Sequence, residues 1–225
     1  MLVGIERRHR SNPNSDGFTL TELLAAVAVL AILAALLFPL AGKALGIAKA
    51  AKDIAQLRQI GAIHAQYMGD HVQTAMPGHY PATNEVWFYH YIRPYLGLPL
   101  ANTAVPLLIS PLDHSKGAAN SLSVQPMHRR SYAVNRRILK ANQQPVRFHE
   151  LTNPGGMMWI VDFDLNIRNS NWFEPDVAAS IAAVPENWIS GGYVHLLFLD
   201  GHVETLKKTT VVPGGNREDV LGPKL

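Results

Sequence analysis

Twenty consecutive positions, Leu23 to Gly42, carry no charged residue. About twenty apolar residues in a helix span the hydrocarbon core of a bilayer. A lone segment in lipid must satisfy its own N–H and C=O groups, which leaves helix as its form. Ala, Leu, Val and Ile dominate the run. A cleaved secretory signal has a shorter apolar core, about 7–15 residues, ending at a small-residue cleavage site. Here the run is longer and continues into a polar helical pattern, so it reads as an anchor.

Glu22 stands at the front of this run. A carboxylate is costly in lipid, less so near the end of a span. In the first helical turn, at headgroup level, its charge also suits the helix dipole. Its neighbours supply a second reading. Gly17, then Phe18-Thr19-Leu20-Thr21-Glu22-Leu23, then the apolar run, closely resembles the processing site of type IV prepilins and type II secretion pseudopilins. The resemblance implies that prepilin peptidase cuts between Gly17 and Phe18 and methylates the new N-terminus at Phe18. Glu22 becomes the fifth mature residue, where the family carries glutamate. Pro39 becomes the twenty-second, where pilins commonly have proline. The short leader with Arg7, Arg8 and Arg10 also fits.

By the same resemblance, the Glu22 carboxylate of one subunit meets the Phe18 amine of its neighbour in a filament, each charge offsetting the other's cost in lipid. The implied partners are prepilin peptidase, other pilin or pseudopilin subunits, an inner-membrane secretion or pilus assembly platform, and membrane lipid. Lys43, Lys49 and Lys52 follow the span as the arginines precede it, so charge alone does not orient the chain. The resemblance places the leader in the cytoplasm and the remainder on the periplasmic side of the inner membrane, after a single pass.

Beyond Gly42, Ile47, Ala50, Ala51, Ile54, Leu57, Ile60 and Ala62 recur at helical spacing, with Lys49, Lys52, Asp53 and Arg58 between them. The spacing predicts one helix from about Leu20 to Met68, bent at Pro39 because proline removes a backbone donor. The organisation read from this is a leader (1–17), a helix (18–69; membrane half about 18–42, amphipathic half 43–69) and a globular region (70–225). The expected fold class is α+β and pilin-like: a long N-terminal helix packed on a small antiparallel β-sheet.

In the globular region, Val86–Gly97 reads as a short helix ending near Pro94 or Gly97. Val105–His114 is expected to be irregular or a short strand. Ser131–Leu139 and Met157–Asp164 read as strands, and Asn166–Trp188 as a surface loop. Tyr193–Leu206 holds two apolar-containing runs around Asp200-Gly201, a dipeptide that favours a two-residue hairpin turn with both central residues at positive φ. Leu199 and His202 would then face each other.

"HLLFLDGHV", with Asp200, Gly201 and His202, is similar to the end of a prepilin-associated domain named for a His, nine residues, then Asp-Gly. "SPLD" (Ser110–Asp113), "SYAVN" (Ser131–Asn135) and "MMWIVDFD" resemble further segments of that domain. Ser190 stands where its His belongs, His195 where Asn is usual, and Ser110 where it has Cys.

Candidate chemistry is sparse. His195, Asp200 and His202 would suit zinc or manganese if they met Asp162 or Asp164. The simpler reading makes His195 a strand residue and His202 a turn neighbour, so no catalytic or metal residue is expected. Asp162–Asn166 begins like a calcium loop but lacks the glycine and distal glutamate of an EF-hand. No cofactor is expected, with a family-type calcium ion the one considered. Trp87, Phe88, Tyr89 and Tyr91 read as core packing before a ligand platform. There is no nucleophile elbow, phosphate-cradling loop or HExxH. A net charge of +3 without a run of like charges excludes a nucleic-acid arm, and the lack of cysteine excludes disulfides and thiolate metal sites. The expected role is a structural subunit of a type II secretion pseudopilus or type IV pilus, not an enzyme. The alternative is a membrane-tethered export-side enzyme or ligand-binding domain using the His/Asp residues or the aromatics.

Overall fold

The computed structural model describes residues 18–77, 79–80, 86–99, 103–117, 129–138, 146–151, 153–168, 172–173 and 177–211. The architecture is α+β, a long N-terminal helix with a small, mainly antiparallel sheet. Two units divide between Leu45 and Gly46.

Helix α1 is Leu20–Asp70, ending two residues past the expected Met68, and Pro39 lies inside it. In the first unit its large apolar side chains, Leu24, Leu30, Ile32 and Leu36 among them, are at least half exposed. A helix that is apolar on every side belongs in lipid or in a protein core. This one is long and apolar enough to cross a membrane.

In the second unit α1 buries Asp53, Leu57, Ile60, His64 and Tyr67. The spacing of four, three, four and three residues is one helical face. It differs from the stripe read from the sequence. Ile47, Ala51 and Ala62 are exposed, whereas Asp53, assigned to the polar side, is fully buried. Alanines bury little area, so the large residues Leu57, Ile60, Ile63 and Tyr67 set the inward face. That face carries Asp53 and His64 inside with it.

The main sheet has the order β5-β3-β4-β6-β7. Its strands are β3 (Tyr132–Asn135), β4 (Met158–Asp162), β5 (Trp172–Phe173), β6 (Tyr193–Phe198) and β7 (Val203–Lys207). All neighbours are antiparallel except β3 and β5. A separate two-stranded ladder pairs β1 (His79–Tyr80) with β2 (Val86–Trp87), and α2 (Phe88–Tyr95) follows directly. The expected strand over Ser131–Leu139 stops at Asn135 and becomes a 3₁₀ turn, Arg136–Ile138. Val105–His114 holds a 3₁₀ turn at Pro106–Leu108.

Alternation along the strands gives the sheet two apolar faces. Tyr132, Val134, Ile160 and Leu197 pack with Leu57, Ile60 and Ile63 of α1. Ala133, Val161, Val194, Leu196 and Phe198 face the other way, against Phe163, Leu165, Ala183 and Val184. This second face corrects the expectation of a surface loop over Asn166–Trp188. The segment contains β5 and α3 (Ala178–Ala182), and Ala183, Val184 and Trp188 are buried. A sheet apolar on both faces needs a second cover.

The hairpin also differs in detail. Phe198 N–H donates to His202 O at 2.9 Å, and Gly201 N–H to Phe198 O at 3.0 Å. The loop is therefore three residues, Leu199 to Gly201, with only Gly201 at positive φ (92°). A turn followed by one left-handed glycine is the three-residue alternative to the two-residue turn. It pairs Phe198, not Leu199, with His202. Leu199 is fully buried and donates its N–H to Met157 O. A short helix α4 (Lys208–Val211) follows β7.

Candidate functional site

Two regions carry candidate chemistry. The first is the start of α1. Gly17 lies outside the described residues. Phe18 is highly exposed. Thr19 N–H donates to Glu22 Oε2 at 2.9 Å, and its hydroxyl donates to the same oxygen at 2.8 Å. In return Glu22 N–H donates to Thr19 Oγ1 at 3.3 Å. This reciprocal pair is a capping box, which satisfies backbone donors left over at a helix start. Its T-x-x-E signature stands in the sequence at Thr19–Glu22, and the reading of Glu22 by charge alone missed it. Both bonds use Oε2; among the described residues Oε1 has no partner.

The second region lies under α1 at one end of the sheet. Register places Tyr132 of β3 opposite Asp162 of β4, and His195 lies on the neighbouring β6. Asp53 descends onto them from α1. Its Oδ1 accepts the Tyr132 hydroxyl at 2.6 Å, and its Oδ2 lies 2.6 Å from His195 Nδ1. Asp162 Oδ2 accepts the His195 backbone N–H at 2.8 Å. Among the described residues, Asp162 Oδ1 is buried without a hydrogen-bond partner. Asp53, Tyr132 and Asp162 are fully buried and His195 is 2% exposed.

Burial, then the nearby Asp53 charge, pushes the Asp162 carboxyl well above the usual carboxylate range, against the opposing His195 N–H bond. Burial and the charges of Asp53 and Asp162 likewise push the Tyr132 phenol well up.

A third carboxylate organises the adjoining loop. Asp113 Oδ1 accepts from Ser115 N–H (2.7 Å) and Ser115 Oγ (2.6 Å). Its Oδ2 accepts from Gly117 N–H and Ser131 Oγ, both at 2.7 Å. Ser110 Oγ accepts from Leu112 N–H and its carbonyl from Asp113 N–H, both at 3.1 Å. Ser110, Asp113 and Ser131 thus form one buried group, which Ser131 joins along the chain to the cluster of Tyr132, Asp162 and His195.

Of the residues considered for a metal, His195 and Asp162 are brought together, and Asp200 and His202 are not brought to them. His202 is held apart at the hairpin: its Nδ1 is 2.5 Å from Asp200 Oδ1, its Nε2 3.4 Å from Glu204 Oε1, and its ring stacks on Phe198 at 4.2 Å. Three residues of strand, about 10 Å, separate His195 from Phe198. Asp164 Oδ1 accepts from Asn166 N–H at 2.8 Å instead. Asp53 was missed because it was read as part of a polar face; its signal was the four- and seven-residue spacing to Leu57 and Ile60. Phe88 and Tyr89 are buried in the helix-side core and Tyr91 packs against it, so these aromatics form no open platform.

No curated protein matches the chain, and no solved structure matches it. Residues 12–38 match the family described as the prokaryotic N-terminal methylation motif. That motif, leading into a long apolar helix and a small α+β sheet unit, supports a type IV pilin-like or pseudopilin-like protein.

Proposed function

We propose that the chain is a structural subunit of a type II secretion pseudopilus or a type IV pilus. Prepilin peptidase cuts it after Gly17 and N-methylates Phe18. The methylation motif at residues 12–38 carries this reading. The cut creates an amine at Phe18, four residues before Glu22. In a filament, the Glu22 carboxylate takes the Phe18 amine of a neighbouring subunit, since two charges costly in lipid offset one another when paired. The arrangement at Glu22 suits this division: Oε2 caps its own helix, and Oε1 remains for a neighbour. Pro39 loosens the backbone of the apolar segment, because it cannot donate an N–H.

The partners in this reading are other pilin or pseudopilin subunits, the inner-membrane assembly platform and lipid. The sheet unit stands on the periplasmic side. The similarity of "SPLD", "SYAVN", "MMWIVDFD" and "HLLFLDGHV" to the prepilin-associated domain belongs to the same proposal, supported by the meeting of Asp113 with Ser131 and of Tyr132, Asp162 and His195 around Asp53. A tethered enzyme has less support. Asp53, Asp162 and His195 are closed to solvent and offer a substrate no atom.

The test is intact-mass and N-terminal peptide mass spectrometry on chain taken from its native membrane. The expected species begins at N-methyl-Phe18; one that begins at Met1, or is cut beyond the apolar run, refutes the processing. Glu22→Gln and Glu22→Ala should be cut yet fail to enter filaments. Normal incorporation of both would refute the assembly role of Glu22.

A further inference from the structure

We propose that Asp53, Asp162 and His195 form a binding site for a divalent transition cation, zinc first, that fastens α1 to the sheet. The argument is independent of the filament reading. One ligand atom from each residue lies within 4.8 Å of the others, and all three residues are buried. They come from a helix and two adjacent strands, so backbone geometry holds the set together. Two carboxylates and an imidazole match zinc, which takes nitrogen and oxygen donors in a tetrahedral shell. The imidazole argues against calcium and magnesium, which prefer oxygen alone.

A second observation points at a ligand. Asp162 Oδ1 is buried and has no donor among the described residues. Buried polar atoms almost always find a partner, and a carboxylate oxygen most of all. A cation at this position supplies one. Tyr132, already on Asp53 Oδ1, orients that carboxylate in the way outer partners orient metal ligands.

The geometric adjustment is small. Asp53 Oδ2 and His195 Nδ1 stand 2.6 Å apart as a hydrogen-bonded contact. Two zinc ligands in a tetrahedral shell lie about 3.3 Å apart. The pair must open by about 0.7 Å, within reach of side-chain rotation.

The experiment uses the full chain in detergent micelles. It is dialysed against EDTA and then equilibrated separately with Zn²⁺, Mn²⁺ and Ca²⁺. Bound metal is measured by mass spectrometry of the elements, and melting by near-UV circular dichroism. One Zn²⁺ per chain is expected, with a melting temperature several degrees higher than after EDTA. Co²⁺ in its place should give the visible absorption of a tetrahedral site. Asp162→Asn and His195→Gln should lose the ion, while Asp200→Asn and His202→Gln keep it. If Asp162→Asn fails to fold, the cobalt spectrum of the unaltered chain still decides. Absence of retained zinc, with melting indifferent to EDTA, would overturn the site. So would loss of zinc in the Asp200 and His202 variants alone, which would move it to the hairpin.

Discussion

Gly61 should behave oppositely to other glycines of α1 when replaced by alanine. In a helix interior, Gly→Ala is worth about 1 kcal/mol in favour of folding, because glycine loses more backbone freedom. At Gly69 a Cβ would meet nothing within 4 Å, so Gly69→Ala should stabilise by about 0.4–1 kcal/mol. At Gly61 the Cβ would stand 3.1 Å from Gly201 Cα, 3.1 Å from Leu197 Cδ1 and 3.2 Å from Gly201 O. The leucine methyl can rotate away; the hairpin backbone cannot do so cheaply. Overpacking of this kind costs about 1–3 kcal/mol. The intrinsic gain cancels between the two variants, so Gly61→Ala should lie about 1–3 kcal/mol below Gly69→Ala. At about 2–4 °C per kcal/mol for a unit of this size, the gap is about 2–12 °C. The assay is thermal and urea unfolding of the full chain in micelles, followed by near-UV circular dichroism. Equal stabilisation by both substitutions would refute the close packing of α1 on the hairpin turn.

Two further changes test the buried polar groups. His64 is buried against Trp159, and burial pushes its pKa down from 6.5 to about 3. The unfolded chain therefore takes up a proton below pH 6.5 that the folded chain refuses. Stability is complete above pH 6.5 and falls as pH drops toward 3, by up to about 1.4 kcal/mol per pH unit. His64→Phe should flatten the urea-derived stability curve by about 2 kcal/mol between pH 6.5 and 5; parallel curves would refute the buried neutral imidazole. Asp113→Asn turns two of four accepted bonds into donor–donor contacts, at about 1.5–3 kcal/mol each. A loss of at least about 3 kcal/mol is expected by the same assay, and a loss under about 1 kcal/mol would count against the clamp.

The anchor, the extent of α1 and the strands around Tyr132, Met158 and Tyr193 were legible because each rests on a local signal: uninterrupted apolarity, helical period or an apolar run between turn residues. The buried cluster was not. Asp53 belongs to a residue type that is almost always outside, and only the partners beneath it, Tyr132 and His195, make its burial tolerable. Those partners are 79 and 142 residues away in sequence. The same limit explains Asn166–Trp188. Its prolines and polar residues look like a loop, while the demand for a second cover comes from β4 and β6, whose apolar runs face both ways. The hairpin was located by Asp200-Gly201, but its loop length was set elsewhere, by the Leu199 bond to Met157 and the stacking of Phe198 on His202.

The two residues of α1 that look least suited to a helix core are the ones that fix its register. A slip of three residues would put Ile54, Leu57 and Ile60 where Leu57, Ile60 and Ile63 stand, so apolar packing alone does not forbid it. Asp53 and Gly61 are not interchangeable with their neighbours. They stand eight residues apart, about 12 Å along the helix. One meets Tyr132 and His195; the other fits against Gly201 at the hairpin. That slip would put Ala50 over the cluster, leaving Tyr132 and His195 without their acceptor. It would also bring Arg58 onto a turn that admits no Cβ without rearrangement. Buried polar groups that specify register at some cost in stability are known from coiled coils. Here a carboxylate and a glycine divide that task, one by what it alone can accept and the other by what it lacks.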